Sequence, residues 1–364
     1  MSKIVVCSPQ LGMSPESNSG GEVHDREVIK ALCNSGIKVI VVLPKNKKSL
    51  SHKNLKVFYL PIPFVWPPYL FNLFIIPYLF YIYKKHRFNV LRVHSPYFSG
   101  IGCLIFRLFY RQIPILTTYH HIEENKICYN IINNLLIKKW NYIISVSQFT
   151  KNEIVKHHQI KQNKIKVIYN GVSSKFRPQK KEKALIKKYD LSGKKVLVFF
   201  GGLKKRKNPE FILRVFSKLK TNNLKLLLCG DGPLKTKLVN KVKSMNLENK
   251  IVFTGFVHEK DKVKYMNLAD IVLLPSYMEG FGMIAVESQA CGIPTITSNK
   301  GAFLETNSKE NLIKLNVEDW VKRVEEVLRD LDSEKEKTKK LRNVLLSRFS
   351  WVNSKSIYDK IEII

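Results

Sequence analysis

The chain has 364 residues, enough for two domains with sizeable cores, and its 45% apolar content excludes a disordered polypeptide. Lysine and arginine number 62 against 29 acidic residues, a net charge of +33 spread over both halves. Part of that excess follows a compositional bias toward Lys, Asn and Ile; the rest fits an anionic membrane surface, a pyrophosphate-bearing substrate or, last, nucleic acid, because no arginine-rich arm, RNA-binding aromatic motif or zinc finger accompanies it.

From the N-terminus, MSKIVVCSP passes almost directly into a strand over Ile4 to Cys7, leaving no room for a signal-peptide core. The six cysteines are scattered, with no CxxC pair, which argues for a reduced, cytoplasmic setting and against a zinc site. Next, SNSGGEVHDREVIKAL places Gly20 and Gly21 before a helix, where backbone N–H groups can approach a phosphate. Further strands are predicted at Val39 to Leu43, Val90 to His94, Ile115 to Thr118 and Ile143 to Val146. Between them Phe64 to Tyr83 is long, apolar and aromatic. Pro67, Pro68, Pro77 and Asn72 interrupt it, so it reads as a buried or interfacial helix, and the following Lys84, Lys85 and Arg87 suit contact with a membrane surface. LTTYHH puts His120 and His121 at a C-terminal strand end, the ligand side of an open α/β sheet, and His94 ends the preceding strand. Ser147 is placed to cap the helix that follows.

YNGVSSKFRPQKKEK, from Tyr169 to Lys183, combines Asn-Gly, Pro and a charge run and reads as a domain boundary. A second set of strands follows at Lys195 to Phe200, Leu224 to Cys229, Ile251 to Thr254, Ile271 to Leu274 and Thr295 to Ser298. Alternation of strands and helices in both halves predicts two doubly wound α/β domains, at residues 1–170 and 171–348, with residues 349–364 as a closing amphipathic helix. Glycines at strand ends (Gly201 and Gly202 in FFGGLKKRKNPEF, Gly230 in CGDGP) permit tight loops beside a ligand.

The densest signal is PSYMEGFGMIAVESQACGIPTITSNKG, Pro275 to Gly301. Gly280, Phe281 and Gly282 lie at the N-terminal end of a helix predicted over Ile284 to Ala290, where unpaired N–H groups suit a phosphate. Glu287, a turn inside, can reach ribose hydroxyls, and Glu279 can reach a sugar.

This run resembles the signature of the retaining glycosyltransferases of family 4, and the resemblance extends from about Lys3 to the end of the chain. It implies the GT-B fold, two Rossmann-like domains facing a central cleft, with the last helix crossing back to the first domain. By matching position, Glu279 would contact the transferred sugar, Glu287 the ribose, and His120 the sugar from the other side. Lys207 would neutralise the departing diphosphate, Gly20 and Gly21 would meet donor phosphates, and the TGFV segment with Phe256 would meet the base. Asn170, Gly171, Val172, Phe176 and Pro178 match the family linker, although Ser173 stands where an acid is common. Gly202 replaces the arginine that usually assists Lys207, with Lys204, Lys205 and Arg206 as nearby substitutes. The resemblance further implies front-face transfer with the leaving phosphate taking the acceptor's proton, and a UDP- or GDP-sugar donor is expected. No DxD motif accompanies the site, so no metal or other cofactor is expected, and the basic, aromatic-rich first domain suits a lipid-linked or glycan acceptor at the inner face of the cell membrane. An epimerase of the same fold, a non-catalytic nucleotide-sugar-binding protein and a nucleic-acid binder are the alternatives.

Overall fold

A computed structural model describes residues 4–15, 17, 20–63, 70–94, 96–121 and 134–360. The chain forms two compact units, one from residues 1–171 with 350–364 and the other from residues 172–349.

In the first unit seven strands, β1 (Val5–Pro9), β2 (Lys38–Pro44), β3 (Leu55–Leu60), β4 (Val90–Val93), β5 (Ile115–Tyr119), β6 (Tyr142–Ser145) and β7 (Ile165–Val167), pair in the order β3-β2-β1-β4-β5-β6-β7. Every pairing is parallel, with Cys7 seated between Ile40 and Leu91. The apolar runs follow from burial on both faces: in β2 only Lys38 is exposed. Alternate residues feed two cores. Cys7, Ile40 and Val42 join an aromatic cluster with Phe88, Phe106 and Trp140, while Val6, Val39 and Val41 pack with Ile29, Leu32 and Tyr358.

Helices α1 (Gly20–Asn34), α2 (Phe71–His86), α3 (Ile101–Phe109) and α4 (Gln148–His158) connect these strands. Ser147 caps α4 as expected, its hydroxyl accepting the Thr150 N–H at 2.9 Å. The segment read as an interfacial helix begins outside the described residues at 64–69; its helix, α2, runs past Tyr83 to His86. Asn72, which looked out of place there, is buried and its side-chain oxygen accepts the Gly102 N–H at 3.0 Å, clasping α2 to α3. Among the described residues no helix is long and apolar enough to cross a membrane. The closing segment, Trp351–Lys360, is a 3-10 helix packed on α1 rather than an α-helix, and residues 361–364 lie outside the described residues.

The second unit holds β8 (Lys195–Phe200), β9 (Leu224–Cys229), β10 (Ile251–Gly255), β11 (Ile271–Leu274), β12 (Thr295–Ser298) and β13 (Leu312–Ile313) in the parallel order β10-β9-β8-β11-β12-β13. Helices α5 (Pro209–Lys218), α6 (Met283–Ala290) and α7 (Val317–Arg329) are among its connections. Pro209 opens α5, where a missing N–H costs nothing. Phe211 of α5 meets Trp320 of α7 edge-on at 5.3 Å inside one core. Five of the six cysteines, Cys7, Cys33, Cys103, Cys229 and Cys291, are buried and unpaired; Cys128 lies outside the described residues.

Each sheet reverses its winding beside its first strand, since β1 lies between β2 and β4 and β8 lies between β9 and β11. Ligands of such sheets bind at the C-terminal strand ends next to that reversal.

Candidate active site

In the second unit the C-terminal strand ends gather most of the predicted residues. The loop after β11 carries Glu279, only 6% exposed. Its Oε1 accepts the Ser276 hydroxyl at 2.7 Å and pairs with the Lys207 ammonium, while Oε2 receives Arg206 Nη1 at 3.1 Å. Burial alone would raise this carboxyl, but Lys207, Arg206 and the hydrogen bonds bring it down to about 2, so it stays ionised. A second Arg206 bond, to the Met278 carbonyl at 2.6 Å, and a backbone bond from Tyr277 N to Arg206 O at 2.9 Å tie the two loops together.

Two glycines shape this site. Gly301 adopts φ +61°, and a Cβ there would stand 2.6 Å from the Glu279 carbonyl oxygen; Ala302 N–H binds that same oxygen at 2.9 Å. Gly230 packs against the β8 loop so closely that a Cβ would fall 1.9 Å from the Gly201 carbonyl. Gly202 is less constrained. The position its Cβ would take is 3.6 Å from the Lys204 side chain, whose aliphatic stem thus lies beside the place of the missing arginine. Of the three basic residues considered as substitutes, Arg206 joins Lys207 on Glu279.

Glu287, 1% exposed, sits in α6 with Lys262 Nζ 2.6 Å from Oε2. Glu259 shares that lysine at 3.7 Å and is itself met by Lys175 at 2.7 Å. Burial raises the Glu287 carboxyl; Lys262 works against it and Glu259 with it, and the outcome is a raised value. Gly280 and Gly282 flank Phe281, which turns its ring into the core against Phe349 at 5.3 Å, not outward toward a donor; only its backbone remains for the expected donor contact. Phe256, by contrast, is 55% exposed, with His258 edge-on at 5.2 Å.

In the first unit, His24, His94 and His120 form a cluster at the ends of β4 and β5 and in the first turns of α1, with ring centroids 4.5 Å (His24 to His120), 4.7 Å (His94 to His120) and 6.0 Å (His24 to His94) apart. His121 is exposed. Burial, then the neighbouring imidazoles and Arg92, push His120 well below its ordinary value, and burial lowers His24 to about 3, so both rings are neutral at neutral pH. Gly20 and Gly21 open α1 as expected. His24 Nδ1 lies 2.9 Å from the side-chain oxygen of Asn170, which explains the Asn of the Asn-Gly-Val linker; the following Gly171 is needed because a Cβ would fall 2.4 Å from Trp351. The nearest ligating atoms of the three histidines lie within 4.8 Å of one another, a looser span than the ~3.4 Å edge of a tetrahedral zinc site.

Sequence reasoning missed Ser276, Lys262, Glu259 and Asp25. Ser276 had a local signal, three residues before Glu279. Glu259 and Lys262 are only three residues apart, but Lys262 reaches Glu287, and Asp25 reaches Arg92, through tertiary packing alone.

Comparison with known proteins adds the following. Residues 177–344 match the model of glycosyl transferases group 1, and residues 18–176 match that of glycosyltransferase family 4. The chain is similar to N-acetyl-alpha-D-glucosaminyl L-malate synthase of Bacillus anthracis, at 28% identity over 66% of this chain and 64% of that protein. It is also similar to a Campylobacter jejuni enzyme named as an N-acetylgalactosamine-N,N'-diacetylbacillosaminyl-diphospho-undecaprenol 4-alpha-N-acetylgalactosaminyltransferase, at 30% identity over 48% of this chain and 46% of the relative. The chain thus spans less than two thirds of the length of either relative. Among solved structures, Anabaena Alr3699/HepE in complex with UDP and glucose shares the fold, with a TM-score of 0.79 at 17% identity over 98% of this chain and 99% of that one.

Proposed function

The chain belongs to the glycosyltransferases of family 4, with the GT-B fold, and from that premise we propose that it moves a sugar, with retention, from a nucleotide diphosphate sugar to a hydroxyl acceptor. The observation that carries the reading is Glu279, a buried carboxylate in the loop after β11 held ionised by Lys207 and Arg206 of the loop after β8. When a diphosphate binds, both cations can turn to it and neutralise the charge that develops as it leaves, and Glu279 is then released to accept a sugar hydroxyl. Arg206 takes the place of the arginine that Gly202 lacks. Glu287 accepts the ribose hydroxyls, with Lys262 fixing its orientation, and the exposed ring of Phe256 is available to the base. The donor is a UDP- or GDP-sugar. The supporting parallel is a protein of the same fold solved with UDP and glucose.

The acceptor side is the first unit, with His120 against the transferred sugar. A lipid-linked acceptor fits its surface: α2 and α3 expose Leu73, Phe74, Tyr81, Leu108 and Phe109 beside Lys84, Lys85 and Arg87, an apolar face edged with positive charge that suits an anionic bilayer. The relative that acts on a diphospho-undecaprenol substrate supports the same class of acceptor.

The test is a thermal-shift screen with UDP, GDP, ADP and TDP and their sugar conjugates. One nucleotide is expected to raise the melting temperature. Glu279→Ala and Lys207→Ala are each expected to cut transfer by about a hundredfold or more with folding intact. No shift with any nucleotide favours the non-catalytic alternative, and a rearranged sugar formed without acceptor favours the epimerase.

A further inference from the structure

From Glu287 in α6 a row of alternating charges crosses the second unit. Lys262 opens the short helix Lys262–Met266 after β10, and its ammonium is nearer to Glu287 (2.6 Å) than to Glu259 (3.7 Å). Glu259 turns its other oxygen, Oε1, to the ammonium of Lys175 at 2.7 Å, in the Asn-Gly-Val linker segment. The side chains of Glu287, Lys262 and Glu259 are each less than a tenth exposed, and Lys175, at 43%, is the solvent end of the row. Both ammoniums also stand over one buried ring, that of Phe176, with Lys175 Nζ 5.2 Å and Lys262 Nζ 5.5 Å from its centroid. Phe176 matches the family linker, and in this fold it spaces the two cations that serve the two acids.

A lysine–glutamate pair at a surface ordinarily contributes little. This pair differs because its acid is buried and competes with Glu287 for a single ammonium. While Lys175 satisfies Glu259, Lys262 stays on Glu287. Without Lys175, Glu259 draws Lys262 toward itself, and Glu287 loses the charge that holds it ionised and aimed. Burial raises the Glu287 carboxyl, Lys262 and Lys175 lower it, and Glu259 raises it. Two further groups lie close by. Cys291, at the end of α6, is kept protonated by burial and by Glu287 itself; Arg342, from the helix Arg342–Arg348 packed on α6, donates to the Ser174 and Phe176 carbonyls.

We propose that Lys175 and Glu259 are positioning residues for the nucleotide ribose, acting through Lys262 on Glu287 and so setting the affinity for nucleoside diphosphates that carry both ribose hydroxyls. The inference rests on the transferase reading, which gives Glu287 the ribose, and every residue it uses belongs to the second unit. An ionised carboxylate accepts from hydroxyls more strongly than its protonated form, so affinity falls as pH drops through the Glu287 value. Loss of Lys175 moves that fall to higher pH, because Lys262 is diverted. Loss of the Glu259 charge moves it to lower pH, because a like charge is gone and Lys262 serves Glu287 alone.

The test is calorimetric Kd of the intact chain for UDP, GDP and ADP from about pH 5 to pH 8, and for the 2′-deoxy and 3′-deoxy forms of whichever binds. Wild type is expected to bind at least one deoxy form about tenfold or more weakly, as loss of a hydrogen bond to a charged group requires. Lys175→Met is expected to weaken the ribonucleotide about threefold or more at neutral pH, leave the rejected deoxy form within about twofold, and shift the acid fall upward. Lys175→Arg is expected to restore the wild-type values. Glu259→Gln is expected to shift the acid fall downward; if it does not fold, the Lys175 variants decide. A folded Lys175→Met with wild-type discrimination and pH dependence overturns the proposal. So do Lys175→Met and Glu259→Gln that shift the fall in the same direction, as a cluster with a merely structural role would. Wild type that binds a nucleotide without distinguishing ribose from deoxyribose takes the ribose from Glu287 and ends the proposal. Wild type that binds none of the three nucleotides overturns the transferase reading itself.

Discussion

Glu279 and His24 are both buried, and their surroundings treat charge in opposite ways. Glu279 keeps its charge because Lys207 and Arg206 outweigh desolvation, whereas His24 loses its charge because burial outweighs the Asp25 carboxylate and the Asn170 hydrogen bond that favour the charged ring. The second case has a consequence for stability. With a folded value near 3 against 6.5 in the unfolded chain, His24 leaves stability intact above pH 6.5, and stability falls as pH drops toward 3, because the unfolded chain binds the proton first. Between pH 7 and pH 5 this amounts to about 2 kcal/mol. Urea unfolding at the two pH values should show a loss larger by about that amount in wild type than in His24→Gln; equal losses would rule out the assignment. At this scale the sequence was legible where chemistry is packed into a short run. Glu279, Gly301 and Glu287 lie within one 27-residue signature that brings its own turn and helix start. Asp25 was not legible, because an acid inside a helix of mixed charge is commonly solvated, and only the placement of Arg92 and His94 at the end of β4 shows otherwise.

Elements were legible in proportion to how completely they are buried. Strands β8, β9 and β11, flanked on both sides, read as unbroken apolar runs, and their predicted bounds coincide with those found. The sequence reading leaves out β3, β7 and β13, all at sheet edges, two of them only three and two residues long. An edge strand is half solvated, and LKVFYL accordingly mixes an exposed lysine and an exposed tyrosine with partly or fully buried apolar residues. Helix α2 was legible as an apolar element, yet its length was not, since its last turn includes Lys84 and Lys85, which favour a helix C-terminus by charge rather than by hydrophobicity. Its exposed face carries the membrane reading. Phe74→Ser combined with Lys84→Glu removes an apolar anchor and reverses a charge, each basic group near an anionic surface being worth about 1 kcal/mol. Co-sedimentation with phosphatidylglycerol vesicles should weaken about tenfold or more in the double variant, while a melting temperature equal to wild type confirms the fold. Unchanged vesicle binding would remove α2 from the interface.

For the whole molecule, two parallel sheets of similar winding were readable from the recurrence of strand and helix across the two halves, and the family match of residues 18–344 agrees with that architecture. The cationic excess is a property of the entire chain, and under the proposed function Lys207 and Arg206 would supply to a departing diphosphate the positive charge that a divalent ion would otherwise bring. Transfer is therefore expected to persist after dialysis against EDTA; a loss of activity restored by manganese would overturn that assignment. The buried cysteines have a practical consequence. Burial pushes the Cys33 thiol up to about 11 and those of Cys229 and Cys291 up to about 12, and Cys7 and Cys103 are raised as well. Thiolate is the reactive species, so these five sites resist alkylation until their surroundings open. Cys7, Cys33 and Cys103 belong to one unit and Cys229 and Cys291 to the other. Timed alkylation followed by peptide mass analysis would thus clock the opening of each half separately, with the native chain serving as its own pair of stopwatches.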